Sequence, residues 1–196
     1  RFRRFAAPAG ASGEGGGELL EALARMTADI ARELGKKARL VAEGTPPPAA
    51  VLAGLRDPLI HLIRNAVDHG IEEPLERVAA GKPEEGTIRL GFSVAEGEQV
   101  VQVSDDGKGI DFDAVRAAAA RRKLLGSRPE DQGRAALLKL LFMPGFSSSR
   151  SVSDISGRGV GLDVVHDAVK RLGGRIAVMS EDGRGARFTL RVRAQR

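Results

Sequence analysis

Along residues 18–34 the apolar positions Leu19, Leu23, Met26, Ile30 and Leu34 recur every three or four residues. That spacing puts them on one face of an α-helix, and Gly35 supplies a stop. Residues 39–42 read as a short strand, and Gly44, Pro46, Pro47 and Pro48 break the chain after it. A second helix is expected over about 50–69, where Leu59, Leu62, Ile63, Ala66 and Val67 form a stripe. Asp57-Pro58 is the point at which an interruption would fall. Residues 70–86 read as a loop with a short helix.

The period then changes to two. Ile88, Leu90, Phe92 and Val94 alternate with polar or small residues over 87–94, as do Val101 and Val103 over 99–104. Helices are expected at about 111–123, 133–142 and 160–172, the last ending at Gly173-Gly174. The rest of 124–159 is irregular. Strands at 175–180 and 186–193 close the chain. Strands grouped in pairs with helices between them predict an α+β domain, its helices packed on one face of a mixed sheet. Residues 1–17, basic and then rich in Ala, Gly and Pro, read as a flexible lead, which leaves 18–196 as one domain.

Composition narrows the chemistry. There is no Cys, Trp or Tyr, so disulfides and thiolate metal sites are excluded and the core must be aliphatic, with only seven Phe. No leader and no long apolar run is visible, so a cytoplasmic domain without membrane insertion is expected. The net charge of +5 comes from scattered rather than blocked cations, and no aromatic-rich strand offers bases a stacking surface. Nucleic acid is therefore not the expected partner. The 25 glycines exceed the ordinary share of about 7%, and most sit in short clusters beside strands and helices, where backbone approaches a ligand.

Five clusters carry candidate chemistry. His61, Asn65, Asp68 and His69 share a helix face opposite the apolar stripe, where a solvated surface would prefer Lys, Glu or Gln. The Asn carbonyl suits magnesium, a hard ion that takes oxygen ligands. Asp105-Asp106-Gly107-Lys108-Gly109-Ile110 ends a strand; its carboxylate can accept from an exocyclic amine, or the stretch is a plain Asp-Gly turn. Gly157-Arg158-Gly159-Val160-Gly161-Leu162 precedes an amphipathic helix and fits an anion site at a helix N-terminus, though it is neither a Walker loop nor a Rossmann fingerprint. Phe142-Met143-Pro144-Gly145-Phe146-Ser147 lies in the long irregular stretch, which reads as a lid or as disorder. Gly183-Arg184-Gly185, between the last two strands, reads by itself as a hairpin turn.

In this order the five clusters resemble the nucleotide-binding boxes of the histidine kinase, gyrase and Hsp90 ATPase superfamily. The stretches 57–72, 142–147 and 152–165 are similar to the catalytic domain of CheA-type chemotaxis kinases nearly residue for residue, and the likeness runs from about Ile30 to Val192. It implies a two-layer α/β sandwich of the Bergerat type on a mixed, mostly antiparallel sheet. It implies binding of ATP with magnesium, and transfer of the γ-phosphoryl to a His on a separate phosphotransfer domain. A receptor-coupling protein, a chemoreceptor array and a response regulator are the implied partners.

Carried onto this chain, the resemblance implies that Asn65 ligates magnesium and that His61 activates or orients the attacking group. Asp68 and His69 would lie near the phosphates. Asp105 would accept from the adenine amine, with Gly107, Gly109 and Ile110 beneath the base. Phe146, Ser147, Gly157, Arg158, Gly159, Val160, Gly161 and Leu162 would complete the ATP site beneath a lid at about 124–158. His166 stands where the family has no phosphoacceptor, so the acceptor is expected on another domain. The receptor-coupling domain and the dimerisation hairpin have no counterpart here, so the sequence reads as a fragment.

Two positions depart from the family pattern: Ala118 where Lys is frequent, with Arg121, Arg122 and Lys123 as neighbouring cations, and Ala186 where Thr is common. They imply weaker nucleotide affinity. They also motivate an alternative, a non-catalytic ATP-binding module used for regulation or assembly.

Overall fold

The computed structural model describes residues 14–125, 133–146 and 161–193. Helices α1 (Glu14–Glu33), α2 (Ala49–Asn65), α3 (Pro74–Ala79), α4 (Phe112–Arg121), α5 (Arg134–Leu140) and α6 (Leu162–Arg171) accompany five strands. These are β1 (Ala38–Glu43), β2 (Gly86–Ala95), β3 (Glu98–Asp105), β4 (Arg175–Glu181) and β5 (Gly185–Arg193). They form one sheet in the order β1-β2-β3-β5-β4. Only β1 and β2 run parallel, and the other three pairings are antiparallel. The parallel pair needs a crossover, which α2 and α3 provide.

The alternation over β2 and β3 sends Ile88, Leu90, Phe92, Val101 and Val103 to one face. There they meet Leu23 and Ile30 of α1, Leu55, Leu59 and Leu62 of α2, and Val165 and Val169 of α6 in one aliphatic core. The opposite face carries Arg89, Gln102, Ser104, Arg187 and Thr189, and no described helix covers it. The expected one-sided α+β arrangement is what forms. Glu96 and Gly97, both at positive φ, close the two-residue hairpin between β2 and β3.

Three local expectations change. The first helix begins at Glu14 rather than at 18, taking in Gly16, whose Cβ position lies 3.8 Å from Leu52 on α2. That distance is ordinary van der Waals contact, so a side chain would also fit there, and the helix forms despite the poor propensity of glycine. Pro58 does not interrupt α2; it is buried inside it. The helix ends at Asn65, and Ala66–Gly70 widens into a π-turn closed by Ile71 N–H donating to the Ala66 carbonyl at 2.8 Å.

A second, smaller core joins α4 to α5 through Phe112, Val115, Ala118, Ala119, Leu137, Leu141 and Phe146. No helix among the described residues is long and apolar enough to cross a membrane.

Candidate functional site

The π-turn at the end of α2 is what assembles the site. It delivers Gly70 against the loop that follows β3. A Cβ built on Gly107 would lie 2.1 Å from the Gly70 carbonyl oxygen, so only glycine fits. The Lys108 N–H donates to that same oxygen at 3.0 Å. From the other side β5 closes in: a Cβ on Gly185 would stand 2.0 Å from the Asp105 carbonyl oxygen. Gly183 N–H donates to the Lys108 carbonyl at 2.9 Å, docking the β4–β5 hairpin on the loop. Three segments far apart in sequence thus enclose the Asp105 carboxyl in a wall of bare backbone.

Asp105 itself belongs to the core-facing register of β3, two residues beyond Val103. Its Oδ1 accepts the Gly107 N–H at 2.9 Å. Burial pushes its pKa up to about 6, and Asp106 and Glu72 add to that against the pull of the Gly107 and Ala186 amides. A largely desolvated carboxyl whose burial outweighs its amide contacts is a strong acceptor for a ligand's donor. The cleft of about 530 Å³ that touches Asp105 opens instead on the bare face of the sheet, between Arg89, Met179 and Arg187. The carboxyl itself lies against Gly70, at the end of the turn that follows α2.

His61 is half-buried on α2, and its Nε2 is buried with no hydrogen-bond partner among the described residues. Burial holds its pKa below the usual imidazole value, outweighing the opposite pull of Asp163. The ring is therefore neutral at pH 7 and keeps a basic nitrogen. Asn65 is half-buried one turn on. Asp68 and His69 fall on the π-turn, with His69 Nε2 3.6 Å from Asp68 Oδ2 and mostly exposed. The π-turn itself is braced by Lys36, whose Nζ donates to the Val67 and Asp68 carbonyls at 2.9 and 2.6 Å. Burial lowers the pKa of that ammonium despite nearby Asp68.

Gly109 and Ile110 follow the loop, and Ile110 N–H donates to Ser180 Oγ at 2.8 Å. Gly161 is the N-cap of α6, and Leu162 opens its first turn. The carboxylate of Asp163 lies at that terminus, accepting from Val164 N–H and from Gly145 N–H at 2.9 and 3.0 Å. Phe146 is only 3% exposed, and its ring packs in the second core. Ser147, Gly157, Arg158, Gly159 and Val160 lie outside the described residues.

The two departures acquire physical content. Ala118 is 1% exposed inside the second core, so a lysine there would have to leave that packing to reach a phosphate. Arg122 is engaged elsewhere: its guanidinium donates to the Gly145 carbonyl and lies 5.2 Å from the Phe146 ring centroid. Ala186 is buried against the loop and offers no hydroxyl.

Sequence reasoning missed Lys36, Gly70 and Ser180. Each acts through a partner at least 31 residues away, and no periodicity signals such a contact.

A wide turn after the asparagine helix, a buried Asp on β3 and a glycine-walled loop define a nucleotide-binding ATPase core. The chain belongs to the histidine kinase-, DNA gyrase B- and HSP90-like ATPase family, which matches residues 54–196. Within that family it is similar to CheA-type kinases. It is 44% identical to the chemotaxis protein CheA of Treponema pallidum over 86% of this chain and 21% of that protein. It is 42% identical to CheA of Rhizobium meliloti over 88% of this chain and 23% of that protein. The gliding motility regulatory protein of Myxococcus xanthus is 40% identical over 89% of this chain and 23% of its own length. The chain thus spans about a fifth to a quarter of these relatives. The catalytic domain of the histidine kinase ThkA shares the fold, with a TM-score of 0.53 at 16% identity over 90% of this chain and 91% of that one.

Proposed function

We propose that this domain is the Mg-ATP-binding catalytic core of a CheA-like histidine kinase, passing the γ-phosphoryl of ATP to a histidine on a separate phosphotransfer domain. The observation that carries this reading is the Asp105 carboxyl, enclosed by Gly70, Gly107 and Gly185, with Gly70 ending the turn that follows the helix carrying His61 and Asn65.

In this reading Asp105 accepts from the adenine 6-amino group, and the glycine walls let the ring lie flat against backbone. Asn65 offers one neutral oxygen, and no group of three or more His, Asp or Glu able to hold a metal occurs among the described residues. Such a donor set fits magnesium that keeps water and phosphate oxygens as its other ligands. Magnesium supplies charge neutralisation for the triphosphate. The neutral ring of His61 takes or orients the proton that the attacking imidazole loses as its other nitrogen bonds to phosphorus. The bond to the β-phosphate oxygen breaks, and ADP leaves. The protein's contribution is position and charge compensation for a loose transition state.

The relatives named chemotaxis protein support a place in chemotaxis signalling. A receptor-coupling protein and chemoreceptor array upstream, and a response regulator downstream, are the partners this reading implies. The test is transfer of labelled γ-phosphoryl from ATP to an added phosphotransfer domain, which should need magnesium and Asn65.

A second reading, an ATP-binding module without transfer, is favoured by Ala118 and Ala186. Both remove a polar group that the family resemblance places near the nucleotide. Saturable ATP binding with no transfer to any phosphotransfer domain would select it.

A further inference from the structure

The fully buried Arg77 has no role in the site as described, and neither do Glu72 and Lys82 beside it. Arg77 Nε donates to the Pro83 carbonyl at 2.8 Å, and Nη1 donates to Glu72 Oε2 at 2.8 Å and to the Asp106 carbonyl at 3.3 Å. Nη2 lies 3.1 Å from Asp106 Oδ1, an ion contact without hydrogen-bond alignment. Lys82 Nζ donates to Glu72 Oε1 at 2.5 Å, to the Asp106 carbonyl at 3.0 Å and to the Gly107 carbonyl at 2.8 Å. Burial works to raise the pKa of the Glu72 carboxyl, but bonding to Lys82 and the charge of Arg77 hold it below the usual range. It is therefore an anion that keeps both cations in place. Asp106 Oδ1 also accepts the Thr87 N–H at 2.9 Å, tying the loop to β2.

The geometry converges on one peptide plane. The Asp106 carbonyl and the Gly107 N–H belong to the same planar unit. Two cations grip its oxygen end, while its N–H end donates to Asp105 Oδ1. Rotation of that plane would swing the N–H off the carboxyl, and Gly107 carries no Cβ to oppose the rotation. Charge at the carbonyl end also polarises the amide and strengthens its donation.

We propose that Lys82, with Glu72 and Arg77, forms a clamp on the 106–107 peptide that positions Asp105 for adenine recognition. The clamp rests on the reading of Asp105 given above. These are positioning residues: they act through the peptide and do not touch the nucleotide. An isolated surface ion pair contributes little, but Arg77 is wholly buried and three of the clamp's bonds go to main-chain oxygens of the loop.

The test compares ADP with purine riboside 5′-diphosphate, which lacks the 6-amino group, by calorimetry on the whole chain. Wild type should favour ADP. Lys82→Met should lose about 10-fold in ADP affinity, the worth of one charge-assisted hydrogen bond, and leave the analogue's affinity unchanged. Lys82→Arg, which keeps charge and donors, should restore the preference. A purely structural role would weaken both ligands equally, and that result overturns the clamp. So does an undiminished ADP preference in Lys82→Met. A wild type that does not distinguish the two ligands sinks the parent reading of Asp105 and the clamp with it. Should Lys82→Met not fold, Glu72→Gln, which frees both cations, is read in the same way.

Discussion

The Gly70 carbonyl oxygen occupies the space into which any side chain at position 107 would project, 2.1 Å from an ideal Cβ. One contact thus couples the end of the asparagine helix to the loop that carries the buried carboxyl. The neighbouring atom is backbone and cannot rotate aside. Gly107→Ala must push the loop off Asp105 or unwind the π-turn. It is expected to cost about 1–3 kcal/mol of stability, the range for overpacking, and to abolish nucleotide binding. Thermal unfolding and ADP titration check the two halves separately.

The buried Asp105 gives a pH signature in both binding and stability. Its folded pKa of about 6 lies above the unfolded value near 3.8. Ionisation is thus harder in the fold, and stability from this group is full below the unfolded value and lost as pH rises through about 6. Asp105→Asn should therefore stabilise the nucleotide-free chain above pH 6, on the order of 2 kcal/mol, while destroying binding. Denaturant unfolding at pH 5 and pH 8 measures the difference. ADP affinity of the wild type should fall as pH drops below about 6, because the protonated acid no longer accepts freely.

His61 titrates with the opposite sign. Burial depresses its pKa, so the neutral ring is favoured by the fold and stability declines as pH falls below about 6.5. His61→Gln is expected to leave ATP affinity unchanged and to slow phosphoryl transfer by about 100-fold, the lower range for a lost proton-transfer group. Single-turnover transfer beside an equilibrium binding curve separates these effects.

Restoring the family's common lysine at position 118 should fail. Ala118 packs among Phe112, Val115 and Leu137, and a lysine there is either buried unpaired or expelled with its helix. Ala118→Lys is expected to lower Tm by about 4–8 °C, from a loss of about 2 kcal/mol, without tightening nucleotide binding. A gain in affinity without loss of stability would mean that α4 moves.

Much of this site was visible in the sequence because its parts are local. The stripes Leu19-Leu23-Met26-Ile30 and Leu59-Leu62-Ile63 fix two helices, and the alternation Ile88-Leu90-Phe92 fixes a strand. Asp105 stands out through the glycines that follow it. What the sequence hid is held by distance. Nothing near Val67 announces that Lys36, 31 residues earlier, braces the turn. Nothing in an Arg two residues from Leu75 says that it is buried beneath the loop that follows β3. The π-turn escaped for another reason: Ala66-Val67-Asp68-His69-Gly70 reads from its sequence as the last turn of a helix fraying at a glycine, and no local pattern separates a wide turn from an ordinary end. The family pattern marks Ala118 only as a departure from Lys, because helix periodicity alone does not reveal the second core that α5 builds against it.

The most direct test of the account is titration of ADP into the folded chain and into Asp105→Asn at pH 7.5. One saturable site is predicted in the wild type, weakened at least about 100-fold in the variant, the worth of a buried bond to a charged group. Equal binding by both proteins, or no heat from the folded wild type, would contradict it.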